Sequence, residues 1–155
     1  MANIVINEHS GAATGGVRDL LRWEGVALLI GMTLFYWISG GSWLLYALVF
    51  FVPDLSFIAY LAGPRFGAGI YNVMHATIAP LCLVLVGLAT AEPIAGLLAM
   101  IWLAHIGFDR MLGYGLKYDA GFNFTHLGRI GKEAVAPAAV ATATNQTTGN
   151  RINAA

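Results

Sequence analysis

Charge is what this sequence has least of. Only 10% of its 155 residues are Asp, Glu, Lys or Arg, where a soluble domain carries about 25%. With 58% hydrophobic residues and a mean hydropathy of +0.71, the chain cannot cover a globular surface with polar groups, and lipid is the expected solvent. The net charge is +0, which leaves no cationic excess for a phosphate backbone and argues against nucleic acid as a partner. Cysteine occurs once, at Cys82. An intramolecular disulfide is therefore excluded, and an apolar setting makes Cys82 an expected small buried hydrophobe. Residues 1–17, MANIVINEHSGAATGGV, lack the basic and then apolar regions of a secretory signal. No cleaved leader is expected, the first hydrophobic segment should stay as an anchor, and His9 reads as a solvated residue of a polar tail.

What the sequence has instead is apolar length. A hydrocarbon core of roughly 30 Å takes ~20 helical residues, and four segments approach that: 20–38, 43–62, 68–89 and 94–112. SGGS, GPRFG and TAEP separate them, and Pro53-Asp54 interrupts the second. The expected fold is an all-α, integral membrane four-helix bundle within residues 18–133, followed by a disordered low-complexity tail at 134–155. Lys and Arg number 8: Arg18, Arg22, Arg65, Arg110, Lys117, Arg129, Lys132 and Arg151. With four spans, all fall on the side shared by both termini and the middle loop or at its boundary. The positive-inside rule makes that side cytoplasmic, as in a multi-pass protein of a bacterial inner membrane. Trp37, Trp43 and Tyr46 at the other side suit an interfacial aromatic belt.

A charged group at the centre of a membrane helix costs about 2.5–3.5 kcal/mol, so each needs a partner or a purpose. The candidates are Glu24, Asp54, His75, His105, Asp109 and Arg110. At about 1.5 Å per residue, Asp54, His75 and His105 lie roughly 10–14 Å from the cytoplasmic ends of their spans, and Asp109 and Glu24 roughly 5–6 Å. Groups from four segments thus share one layer. In WLAHIGFDR, His105 and Asp109 are i and i+4, on one helical face.

Three functional readings suit that layer. The first is a divalent metal site of Asp54, His75, His105 and Asp109, a two-His, two-carboxylate set that fits Zn, Mn or Fe. Glu24 would be a further ligand or proton acceptor. The second is a haem with His75 and His105 as axial ligands, which leaves both aspartates unexplained. The third is a non-catalytic subunit of a larger membrane complex, or a homo-oligomer, with Gly25, Gly31, Gly63 and Gly67 as points of close helix approach. Against these stands a structural reading in which Asp109 pairs with Arg110 or Arg65, His105 meets a carbonyl, and Asp54 caps a Pro-broken helix.

RWEG, PDLSFIAYLAGPRFG, YNVMHAT and WLAHIGFDRMLGYGLKY…GFNFTHLGR together resemble a family of small bacterial four-helix membrane proteins of unknown function, over about residues 20–131. More distantly, PDL, HAT and HIGFD ahead of Gly115 are similar to the inner-membrane metal-dependent hydrolases. That likeness implies metal ligation by Asp54, His75, His105 and Asp109. Ser56 departs from it at the position of a second acid, and no histidine precedes His75 in the third span, which counts against a binuclear centre.

FTHLGR places His126 beyond the fourth span, among Gly113, Gly115 and Gly121 and several aromatics. Those glycines would let the segment fold back as a lid and bring His126 in as ligand or general acid/base; otherwise it is a surface histidine. The expected function is metal-dependent hydrolysis of a membrane-associated substrate, with Glu24 or His126 relaying the proton and Arg65 and Arg110 able to hold an anionic headgroup.

Overall fold

The computed structural model describes residues 12–119 and 122–130. The expected tail at 134–155, His9, Gly121, Lys132 and Arg151 lie outside them. In chain order the elements are α1 (Gly15–Ile38), α2 (Trp43–Val49), a 3-10 helix (Val52–Ala62), α3 (Pro64–His75), α4 (Ile78–Thr90), α5 (Pro93–Leu112), and the short antiparallel strands β1 (Phe124–Thr125) and β2 (Gly128–Arg129). Three helical segments, Gly15–Ile38, Trp43–Ala62 and Pro93–Leu112, are long and apolar enough to cross a membrane. The bent pair α3 and α4 supplies a fourth if it is taken as one broken span.

α5 is the centre of the molecule. Half of its apolar window is buried, against 11% for α1, and α1, α2 and α4 all pack on it. α1 comes closest. A Cβ on Gly107 would lie 2.6 Å from the Leu29 nitrogen and 2.7 Å from the Gly25 oxygen, and one on Gly25 2.8 Å from the Gly107 oxygen. The two backbones touch there because neither residue has a side chain. Gly31 and Gly63, also expected as contact points, have nothing within 4 Å of a built Cβ, while Gly67 lies under the Tyr60 ring. Outward faces are largely apolar, from Trp23 and Leu34 on α1 to Leu85 and Leu88 on α4, as lipid contact requires.

Several expectations are corrected by local physics. α1 begins at Gly15 rather than Leu20, because hydropathy marks only the part of a helix that lipid can hold, and Arg18, Asp19 and Arg22 extend it beyond that. Cys82 is exposed; α4 packs mainly on α5, so most of its circumference faces outward. The third span breaks directly after His75, where α3 and α4 meet at 46°. Pro80 would clash with the carbonyl of residue 76 in a continuous helix, and Ala76 is extended, at φ −84° and ψ 141°. Trp102 Nε1 donates to the Met74 carbonyl at 2.6 Å, satisfying an acceptor near the break.

The second span switches from α to 3-10 at Pro53, which has no N–H to donate to Val49; the Asp54 N–H instead bonds Phe51 at 3.1 Å. Eleven residues of 3-10 helix is long for a form that seldom exceeds 3–4. With three residues per turn, side chains eclipse in rows. Pro53 and Ser56 are buried, Asp54, Phe57 and Tyr60 line the inner edge, and Leu55, Ile58 and Leu61 face out, Leu61 at 90% exposure.

After α5 the chain turns back. Gly113 takes φ +92°, and the N–H groups of Gly113 and Tyr114 cap the Arg110 and Asp109 carbonyls at 3.0 and 2.8 Å, a glycine-dependent helix stop. The Asn72 side chain on α3 then clamps the Lys117 backbone, accepting its N–H at 2.6 Å and donating to its carbonyl at 2.8 Å.

Candidate metal centre

Four side chains from three helical segments meet in the interior beside this fold-back. α5 presents His105 and Asp109 on successive turns, α3 ends in His75, and the first turn of the 3-10 helix carries Asp54. One ligand atom from each lies within 4.8 Å of the others. The tightest part is a triangle. His75 Nε2 is 3.2 Å from His105 Nε2, and Asp54 Oδ1 is 3.5 Å from each imidazole nitrogen. Asp109 Oδ2 stands 3.4 Å from His75 Nε2. Ligands about 2.0–2.1 Å from a tetrahedral ion are separated by about 3.3 Å, so these spacings suit one ion. This buried Asp/His/His/Asp group could hold a metal ion.

Tyr71, which the sequence reading did not single out, organises the centre. Lying one turn before His75, it stacks on that imidazole at 3.7 Å and 13°. Its carbonyl accepts a 2.9 Å bond from His75 Nδ1, which leaves the Nε2 lone pair turned to the cluster. Its hydroxyl donates to Asp109 Oδ2 at 3.0 Å. Partners of this kind orient ligands at metal sites. The His105 ring is fully buried, with the edges of Phe50 and Phe51 against it at 5.4 and 6.3 Å. The haem reading fails on geometry: imidazole nitrogens 3.2 Å apart leave no slot for a porphyrin.

The cation beside Asp109 is Lys117, not Arg110 or Arg65. Adjacent residues on a helix do not face one another; the Coulombic partner of the Arg110 guanidinium is Glu24, and Arg65 reaches exposed Asp119 at 3.9 Å. Lys117 is only 4% exposed, with Nζ 4.0 Å from the Phe122 ring centre and 5.1 Å from that of Tyr71. Burial pushes its ammonium down to about 8, against Asp109, which favours the charged form. Asp54, Asp109 and Lys117 all line one cavity of about 300 Å³, with Phe57, Tyr114 and Phe122 among its walls. A larger groove of about 550 Å³ between α1 and α2 is apolar and has no ionisable lining except Tyr46.

Glu24 and His126 are not brought into the four-residue group. Glu24 is exposed on α1. His126 does return with the fold-back, but its Nδ1 accepts the Leu116 N–H at 2.8 Å, and a Cβ on Gly115 would meet that ring at 2.5 Å. The segment folds back over this end of the bundle, and the group it contributes to the cluster's cavity is Lys117. Burial first, and then the Arg110 charge, hold the His126 imidazole below its ordinary range.

No curated protein and no solved structure matches the chain. A family match covers residues 18–130, which include all four clustered groups, Tyr71 and Lys117. The chain belongs to the family described as Domain of unknown function (DUF4260).

Proposed function

We propose that this is a multi-pass protein of a bacterial inner membrane in which Asp54, His75, His105 and Asp109 bind one divalent transition metal, and that the centre hydrolyses a membrane-associated substrate. The observation that carries the reading is the donor spacing of 3.2–3.5 Å among side chains from three helical segments. Two imidazoles and two carboxylates suit Zn, Mn or Fe. Arg18, Arg22 and Lys117 gather at the end of the bundle where α1 begins and α5 ends, which the positive-inside rule assigns to the cytoplasm.

A bound divalent ion lowers the pKa of water toward about 7. The triangle of Asp54, His75 and His105 is the tight part of the site. Asp109, held by the Tyr71 hydroxyl, would stand beside that water. In hydrolysis the water oxygen would bond the ester or phosphoester centre as the bond to the leaving group breaks, and Asp109 would carry the water's proton to that group. This assigns the proton to Asp109 rather than to Glu24 or His126, whose partners are Arg110 and the Leu116 backbone.

Elemental analysis of protein purified without chelator tests the site. Wild type should hold about one equivalent of a transition metal, and His105→Ala and Asp54→Ala should lose it, since removing a ligand or its support costs 10–100-fold or more in affinity. Wild type free of transition metal would sink the reading. Metal retained with no turnover of ester, amide or phosphoester lipids would leave a structural centre and remove the hydrolase.

A further inference from the structure

The cavity beside the cluster has an unusual charge count once the metal reading, on which this inference rests, is applied. Its lining includes two carboxylates, Asp54 and Asp109, and one ammonium, Lys117. Two carboxylates cancel one divalent ion. The Lys117 ammonium, on a residue only 4% exposed, then faces the cavity without a counter-charge, a costly condition that an anion beside it or loss of its proton relieves. The position is also a built one. Asn72 fixes the Lys117 backbone through two hydrogen bonds, and Phe122 and Tyr71 hold the amine between their rings.

We propose that this cavity is an anion subsite, in which Lys117 binds a carboxylate or phosphate group of the substrate while the neighbouring part of that molecule reaches the metal. The aromatic walls contributed by Phe57, Tyr114 and Phe122 accept its apolar portion. The substrate class is therefore a small anion or an anionic amphiphile, and a cationic or zwitterionic headgroup is disfavoured. Metal and anion binding are coupled by this arithmetic. Without the ion the two carboxylates outnumber Lys117, and the cavity repels what it attracts when loaded.

Calorimetric titration of the zinc-loaded full chain in a neutral maltoside detergent tests this, with decyl phosphate, inorganic phosphate and decyltrimethylammonium as probes. Decyl phosphate should bind and the cation should not. Lys117→Met should weaken decyl phosphate by about tenfold or more, the loss of a charge-assisted hydrogen bond, with zinc content unchanged. Lys117→Arg should retain binding. Inorganic phosphate bound as tightly as decyl phosphate would identify a free anion as the source, and much tighter binding of decyl phosphate a lipid headgroup. If Lys117→Met does not fold, wild type decides with Lys117→Arg: stripping the zinc should abolish anion binding. Zinc-loaded Lys117→Met that binds as wild type does, anion binding that survives zinc removal, or preference for the cation would overturn the subsite while leaving the metal centre standing. Absence of any bound metal would remove both.

Discussion

α5 carries His105 and Asp109 on two successive turns of a regular helix, whereas Asp54 arrives on a 3-10 helix and Lys117 on a chain that has doubled back. The first region is buried on most sides and fixed by α1, α2 and α4. The other two are arms. Of the 3-10 helix only Pro53 and Ser56 are buried, and the fold-back is tied down by Asn72 and by the His126–Leu116 contact. α5 supplies half of the donors, and the 3-10 helix and α3, packed on each other, supply Asp54 and His75. Regular structure fixes a ligand through the whole fold, while irregular structure fixes it through a few local groups.

The comparison breaks most severely at the α1–α5 contact. Gly107→Val forces atoms into the Leu29 and Gly25 backbones, which side-chain rotation cannot relieve. A loss of about 2–4 kcal/mol is expected from such overpacking. Gly31→Ala, with open space around it, should change stability by less than about 0.5 kcal/mol. Denaturation in detergent reads both. Equal effects would mean that α1 does not hold α5 through this crossing.

The same contrast sets what the sequence discloses. His105 and Asp109 are legible because a regular helix repeats every 3.6 residues, so i and i+4 share a face. Asp54 and His75 are legible through depth, since distance along a span can be counted from its ends. Azimuth cannot be counted so easily. Glu24 has the right depth, but the neighbouring Gly25 is the residue that turns to α5, and Glu24 faces out. Tyr71 was within reach, four residues before His75 on the same face, but its importance comes from the His75 tautomer it fixes. Lys117 was visible only as a topological charge, because its route to the cluster depends on Gly113 and Asn72. The kink after His75 had its signal in Pro80, which a hydropathy average passes over.

A milder test addresses the first arm. Pro53→Ala restores an N–H and removes the reason for the 3-10 path. At 100° rather than 120° per residue, Phe57 would then fall out of line with Asp54 by about 60°, and its stacking on Tyr71 at 5.2 Å would be lost. Metal affinity should fall by about tenfold, the scale of a disturbed supporting shell, while α5 keeps its protection against amide exchange. Unchanged affinity would show that packing against α3, rather than proline, sets this arm.

The smallest effect is expected at the second arm, and pH exposes it. His126 Nδ1 accepts the Leu116 N–H, which the imidazolium cannot do. Its folded pKa lies below the ordinary 6.5, through burial first and the Arg110 charge second. Above 6.5 the ring is neutral in folded and unfolded chains alike, so docking is complete. Below it the unfolded chain takes up the proton first, and stability falls with pH until the folded ring is protonated as well. Protection of the amides across residues 113–119 and 122–130, taken after correction for the intrinsic slowing of exchange in acid, should therefore fall between pH 7.5 and pH 5.5, by an amount on the order of 1 kcal/mol, one hydrogen bond. His126→Asn, whose amide oxygen can still accept but cannot titrate in this range, should flatten that response. Residues 99–109 of α5 should exchange at rates that follow the ordinary pH dependence of the chemistry alone. If acid loosened α5 and the fold-back together, the arm would not be an independent unit, and scaffold and arm would have to be treated as one cooperative structure.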